Sequence, residues 1–260
     1  MGEYNFLTIE RDENVAVIKM NRPPSNPINR DFVGELSDAF DDVADDNDIK
    51  VVIITSALER FFVAGADIKM ILNMTEKESD ETTAFFQKSF QKLNDMPKIV
   101  IAAINGFALG GGFELALACD YRFMAKGKHT IGLPETTLGI IPGAGGTQRL
   151  VRLIGYRALD LLINKTQLTP EEALSLGVVD ALYEPEHLLS ESLNFAKKLT
   201  KMATKAIGIA KRCVYKGIEL SLEDGLKLEK EGFVEVFKTK DAKEGLTAFL
   251  EKRKPVFNGE

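Results

Sequence analysis

Near the start of the chain Phe6, Thr8 and Glu10 alternate with Leu7 and Ile9, and Asp12-Glu13-Asn14 separates them from Val15-Ala16-Val17-Ile18. Two β-type runs around a polar turn predict a hairpin. Asn29 then precedes Phe32, Val33, Leu36, Ala39, Phe40 and Val43. That spacing predicts an amphipathic helix with an acidic outer face. Val51-Val52-Ile53-Ile54 is a continuous apolar run, the pattern of a strand covered on both sides. A loop carrying Phe61-Phe62-Val63-Ala64-Gly65-Ala66-Asp67 follows.

The pattern then recurs in kind. Phe85, Phe86, Ser89, Phe90 and Leu93 share one side of a helix expected over about 80–96. A strand over 99–104, a glycine turn and a helix over about 112–118 come next. After a strand over 121–124 and a turn at Gly143–Gly146, another helix is expected over about 147–153. Thr169-Pro170-Glu171-Glu172 is a helix start, with a capping Thr, Pro at the first helical position and Glu three residues after the cap. Strands alternating with helices predict an α/β core.

From about Leu188 the pattern is almost wholly helical. Asp241-Ala242-Lys243-Glu244 opens the last helix. The stripe Leu222, Leu226, Phe233, Val236, Phe237 is more apolar surface than a helical appendage can bury by itself. It must pack on the core or on another subunit. No internal repeat of fixed short period and no low-complexity stretch is present.

Between Ile99 and Cys119 only Asn105 and Glu114 are strongly polar, and that length would suit a transmembrane helix. Gly106, Gly110, Gly111 and Gly112 in its middle, and a carboxylate that is costly in lipid, argue for strand, turn and helix instead. A net charge of −6 argues against broad nucleic-acid or anionic-membrane binding. Cys119 and Cys213 form no CxxC pair, so a reducing, cytoplasmic setting is expected. The N-terminal residues lack a basic segment followed by an apolar core, so no signal peptide is expected.

Several chemistries are excluded by what is missing. The chain holds no GxSxG elbow, no HExxH and no GxxxxGK[ST], and its glycines do not fit GxGxxG. With only His129 and His187, a histidine triad or a zinc site lacks material. Acid–base work therefore falls to carboxylates.

Glu114 follows Gly110-Gly111-Gly112-Phe113 and precedes Leu115-Ala116-Leu117-Ala118. An exposed Glu in a first helical turn is commonplace. Three glycines ahead of an apolar helix are not, because they let bare N–H groups approach a ligand where a helix N-terminus favours negative charge. Glu135 lies in Ile131-Gly132-Leu133-Pro134-Glu135, ahead of Pro142-Gly143-Ala144-Gly145-Gly146, a segment strongly apolar for a loop. A carboxylate capping that loop's backbone is its structural alternative. Ala64-Gly65-Ala66-Asp67-Ile68-Lys69 is a third candidate, with small residues for close approach and Lys69 as a cation. Gly-Ala-Asp is equally an ordinary N-capped helix start.

These segments together resemble the enoyl-CoA hydratase/isomerase (crotonase) family. The matching stretches are Asn21-Arg22-Pro23, Phe62 to Ile68, Ala102-Ala103-Ile104-Asn105-Gly106, Gly110 to Leu115, Pro134-Glu135, Leu138-Gly139, Pro142 to Leu150, and the tail Phe249 to Lys254. They run in family order over nearly the whole chain.

The resemblance implies a spiral of repeated ββα units over residues 1–198 and a helical oligomerisation region over 199–260, assembling as trimers usually paired into hexamers. It implies an acyl-CoA thioester as substrate, with no resident cofactor and no metal. The N–H groups of Ala66 and Gly111 match the oxyanion hole, and Ala64, Asp67 and Ile68 match the loop that receives adenine. Lys69 matches a CoA-contacting lysine, Lys252 a tail lysine that reaches CoA on a neighbouring subunit, and Gly143 is a further substrate-binding position.

Glutamates at both Glu114 and Glu135 favour hydration over simple isomerisation, in fatty-acid or related acyl-CoA degradation. Many members carry a lysine just after the Arg-Pro pair, where this chain has Pro24, so one phosphate contact is expected to be missing. The acyl pocket is expected on loops around Leu72–Thr83. Another acyl-CoA lyase, isomerase or hydrolase is the nearest alternative. An RNA-binding member would need a basic patch, whereas Lys197, Lys198 and Lys201 are scattered among polar residues. A scaffold would not need both glutamates.

Overall fold

The structure, a computed structural model, describes residues 2–259. Strands β1 (Leu7–Asp12) and β2 (Val15–Met20) form the expected antiparallel hairpin. Helix α1 (Arg30–Asp45) starts where Asn29 accepts a hydrogen bond from the Phe32 N–H. Three successive units of similar build follow. Each gives one strand to a first sheet, one short strand to a second sheet, and then helical chain.

The first unit is β3 (Val51–Ser56), β4 (Phe61–Val63), α2 (Ile68–Leu72) and α3 (Glu76–Asp95). The second is β5 (Ile99–Ile104), β6 (Phe107–Leu109) and α4 (Gly111–Ala118). The third is β7 (Tyr121–Ala125), β8 (Ile131–Gly132), a 3-10 turn (Pro134–Leu138) and α5 (Gly146–Ile154). Because β3, β5 and β7 pair in parallel, and β4, β6 and β8 do the same, the chain advances as a spiral. After α6 (Arg157–Ile163) come β9 (Gln167–Leu168), α7 (Pro170–Ser175) and β10 (Ala181–Tyr183), which complete the strand orders β1-β2-β3-β5-β7-β10 and β4-β6-β8-β9.

The hydrophobic pattern does not mark the strands of the second sheet, which hold only two or three residues each, although the ββα unit implied by the resemblance includes them. Nor does it mark the start of α3. Thr75 and Glu78 form a capping box there, so much of the segment around 72–83, expected as loop, is helix. The apolar stretch from Ile99 to Cys119 divides into β5, β6 and α4. Among the described residues no helix is long and apolar enough to cross a membrane.

One face of the first sheet packs on α1, α3 and α4 through residues such as Phe32, Phe40, Phe90 and Leu115. Its other face, with Val15, Ile53, Ile101 and Phe123, is covered by Leu188 and Ala196 of α8 (Leu188–Leu199). Helix α9 (Thr204–Gly217) is pinned to the core by Lys211, whose Nζ donates to Asp120 Oδ2 (2.8 Å), Leu93 O (2.6 Å) and Lys98 O (2.8 Å). Helices α10 (Leu222–Phe237) and α11 (Lys240–Leu250) keep their apolar faces in the open. Leu222, Phe233, Phe237, Phe249 and Leu250 are all exposed.

Candidate active site

The site forms where consecutive spiral units meet. Helix α4 begins directly after β6, and Gly110 between them has φ +52°, a left-handed value that suits glycine. A Cβ on Gly110 would stand 2.7 Å from Glu135 Oε1 and 3.7 Å from the Gly65 Cα. Gly112 must also be bare, because a Cβ there would lie 2.4 Å from the Val63 carbonyl oxygen. Missing side chains thus bring the loops at 64–67, 110–112 and 134–135 against one another.

Two N–H groups of this junction are left open. Ile28 donates to the Gly65 carbonyl and accepts from the Asp67 N–H, both at 2.8 Å, as in a parallel ladder. The intervening Ala66 N–H is therefore turned away from Ile28. Gly111 is the first residue of α4, whose opening N–H groups have no intrahelical acceptor. Neither the Ala66 nor the Gly111 N–H has a hydrogen-bond acceptor among the described residues.

Glu114, one turn into α4, is 3% exposed. Its Oε1 accepts from the Ala144 N–H (2.8 Å) and the Gly146 N–H (2.7 Å). Its Oε2 lies on the Gly111 side, 3.9 Å from where a Cβ on that glycine would be. Burial pushes the Glu114 carboxyl above the usual range, while the N–H groups of Gly146 and Ala144, and Arg149 beside them, pull the other way.

Glu135 sits on the 3-10 turn with Oε2 buried and, among the described residues, without a hydrogen-bond partner. Its carboxyl is pushed up to about 7, chiefly by burial, with the neighbouring Glu114 charge adding to the effect. Burial raises both carboxyl groups, but their surroundings differ. Glu114 has backbone donors and a cation nearby, whereas Glu135 has an orphaned oxygen.

The remaining residues singled out from sequence divide. The Asp67 side chain caps α2 by accepting from the Lys69 and Met70 N–H groups, the structural role weighed for it. The Ala64 N–H donates to Ser25 O. Ile68 is exposed on α2, and Lys69 and Lys252 are exposed with side chains that form no hydrogen bond or ion pair among the described residues. Gly143 borders the Glu114 donors, and its carbonyl accepts from Gln87 Nε2. His129 packs edge-on to Phe107, at 6.2 Å between ring centres. Among the described residues no group of three or more His, Cys, Asp and Glu is placed to hold a metal.

Ile28, Gln87, Gly146 and Arg149 were not picked out from sequence as parts of the site. Glycine content and the family match from Pro142 to Leu150 mark the neighbourhood of Gly146 and Arg149, and nothing local marks Ile28, which reaches the site through one bridge. A cavity of about 970 Å³ lies elsewhere, between Asn14, Lys50 and the α10–α11 junction. It is open and polar and holds no orphaned carboxylate, so the chemistry is assigned from the glutamates.

Comparison with known proteins points to one family. The family model described as enoyl-CoA hydratase/isomerase matches residues 10–260. The chain is 41% identical over 256 residues to crotonyl-CoA hydratase of Syntrophomonas wolfei, covering 98% of each protein. It is 39% identical over 254 residues to short-chain-enoyl-CoA hydratase of Clostridium acetobutylicum, covering 97% of each. The crystal structure of an enoyl-CoA hydratase from Bacillus anthracis superposes with a TM-score of 0.92 at 37% identity, over 98% of this chain and 100% of that one.

Proposed function

The chain belongs to the enoyl-CoA hydratase/isomerase family, and on that premise we propose that it adds water reversibly across the double bond of a short-chain 2-enoyl-CoA, giving a 3-hydroxyacyl-CoA. One observation carries the reading. Two glutamates with unlike environments share a glycine-walled junction with two N–H groups that lack acceptors among the described residues.

In this reading the Ala66 and Gly111 N–H groups hold the thioester oxygen. Preorganised donors of this kind are worth roughly 2.7–4 kcal/mol each as charge develops. Glu114, ionised, takes a proton from water as the water oxygen bonds to C3. The C2–C3 π electrons move toward C2 and the thioester oxygen, and C2 takes a proton from Glu135. Backbone donors favour charge on Glu114, and the orphaned oxygen favours the proton on Glu135. That division of one proton between two carboxyl groups is what hydration needs near neutral pH.

The CoA part of the substrate would lie along Ala64, Asp67, Ile68 and Lys69, with Gly143 nearer the acyl end. Lys252 would act on CoA held by a neighbouring subunit, and no resident cofactor is required. Trimeric or hexameric assembly is part of the proposal, supported by the exposed apolar faces of α10 and α11. Cytoplasmic placement is supported by the unpaired Cys119 and Cys213.

The test is loss of the conjugated enoyl-thioester absorbance with crotonyl-, hexenoyl-, decenoyl- and branched enoyl-CoA. Turnover of the shorter straight chains is expected, and each of Glu114→Gln and Glu135→Gln is expected to lower it by at least about 10²-fold. An inactive wild type with all of them, or an unimpaired double variant, overturns the reading.

A further inference from the structure

Of the two donors to Glu114, the Gly146 N–H opens α5, while the Ala144 N–H comes from the turn before it, which has no regular secondary structure to hold it. Gly145 in that turn has φ +111° and caps α5 with no side chain of its own. The turn is held instead from its outer side. Gln87 of α3 donates from Nε2 to the Gly143 carbonyl at 2.9 Å, and Arg149 of α5 donates from Nη1 to the Ala144 carbonyl at 2.9 Å. Arg149 is itself held by Gln91 Oε1 (3.2 Å) and Asn94 Oδ1 (3.4 Å). Gln87, Gln91 and Asn94 are spaced to lie along one face of α3.

Peptide planarity turns these outer contacts into an inner one. The Gly143 carbonyl and the Ala144 N–H belong to a single trans peptide unit, so they point in opposite directions. Fixing the carbonyl with Gln87 aims the N–H at Glu114 Oε1, 2.8 Å away. The same holds for the Ala144 carbonyl, gripped by Arg149, and the Gly145 N–H, which also favours charge on Glu114. A Cβ on Gly145 would stand 2.1 Å from Arg149 Nη1, so the glycine is what lets the guanidinium reach the turn.

We propose that Gln87 and Arg149 are positioning residues that clamp the Gly143–Gly146 turn, so that its N–H groups keep the Glu114 carboxyl ionised and aimed at the attacking water. The proposal rests on the hydration reading given above. The charged groups acting on Glu114 are Arg149 from α5 and Glu135 from the 3-10 turn. The α3 side chains that meet the turn and Arg149, those of Thr83, Gln87, Gln91 and Asn94, are all neutral, so their effect passes through the backbone and the guanidinium.

The sharpest variant is Gln87→Met, which keeps volume and removes the donor at an exposed position. It is expected to lower kcat for crotonyl-CoA hydration by about 3- to 10-fold at pH 7 with KM changed less than twofold. The acidic limb of its kcat profile should move up by about half to one pH unit, as for a carboxylate losing part of its hydrogen bonding. The Glu114 carboxyl, followed by carbon-13 NMR and assigned by its loss in Glu114→Gln, should titrate correspondingly higher. Hydrogen exchange at C2 of butyryl-CoA, which does not use Glu114, should stay within about twofold of wild type.

Unchanged limb and titration overturn the clamp, and so does an effect confined to KM, which would mark Gln87 as an acyl-chain contact. Failure of the underlying reading looks different. There wild type would not hydrate at all, or Glu114→Gln would remain active.

Discussion

The Glu114 Oε1 atom accepts a hydrogen bond from the Gly146 backbone nitrogen at 2.7 Å, so an acid from one helix caps the N-terminus of the next. Helix starts are normally capped from within by Ser, Thr, Asp or Asn. Here the cap is carried on α4, and a chemically useful carboxylate is fixed as a consequence. A Cβ on Gly146 would lie 3.0 Å from Glu114 Oε1, Leu133 Cδ1 and Pro142 Cβ alike. Gly146→Ala should therefore displace the carboxylate and lower kcat by about 10- to 100-fold, in line with the cost of small misplacements at reacting groups. Overpacking should cost about 1–3 kcal/mol of stability. Steady-state kinetics paired with thermal unfolding checks both numbers.

The oxyanion assignment rests on bare backbone. Gly111→Val would bring a side chain against Ile28 Cδ1, already 2.9 Å from the first added carbon, and would cover the approach to the N–H. The variant should fold, with modest destabilisation, and lose about 10²–10³-fold in kcat. Circular dichroism and the absorbance assay decide it. A folded variant within a few-fold of wild type removes Gly111 from the role.

Glu135 should make wild-type stability depend on pH. Its folded value near 7 lies above the ordinary 4.5, so between those values the folded state holds more protons than the unfolded chain. Stability from this group is then lost as pH rises from about 4.5 to 7 and is level beyond. Glu135→Gln lacks that loss. Its melting temperature should exceed that of wild type at pH 8 by more than at pH 4.5, even as activity falls, the usual trade at a strained site. An equal difference at both pH values would mean that Glu135 is not raised.

The anchor of the C-terminal helices can be tested by stability alone. Lys211 and Asp120 have side chains 3% and 8% exposed at 2.8 Å separation. Lys211→Met leaves a buried carboxylate without its cation, which should cost about 3–5 kcal/mol in denaturant unfolding. A loss under 1 kcal/mol would show that Asp120 is solvated or paired otherwise.

Much of the fold was legible from sequence because its periodicities are strong. The run Val51–Ile54 and the stripe from Phe32 to Val43 each admit one structural reading, and both elements form where expected. The strands of the second sheet were legible only through the family resemblance, since Ala108 in β6 or Ile131 in β8 pairs within segments too short to show a period. For the site, Glu114 and Glu135 stood out because acids are rare in apolar, glycine-rich segments. Gln87 and Arg149 did not, since an amide on an exposed helix face looks solvated until the turn it grips is seen. Asp67 shows the converse, for its motif is visible in sequence and its side chain serves as a helix cap.

The division of labour between Glu114 and Glu135 is tested most directly where hydration cannot occur. With saturated butyryl-CoA in heavy water only C2 hydrogens can exchange, using the oxyanion hole and the C2 base. Proton NMR of the wild type, Glu114→Gln and Glu135→Gln should show exchange largely kept in the first variant and abolished in the second. The wild-type rate should rise as pH passes about 7, where Glu135 becomes ionised. The reverse ranking would mean that the two roles are exchanged, and equal loss in both would mean that the pair acts as one unit. Either result contradicts the assignment of Glu135 to C2 and Glu114 to water.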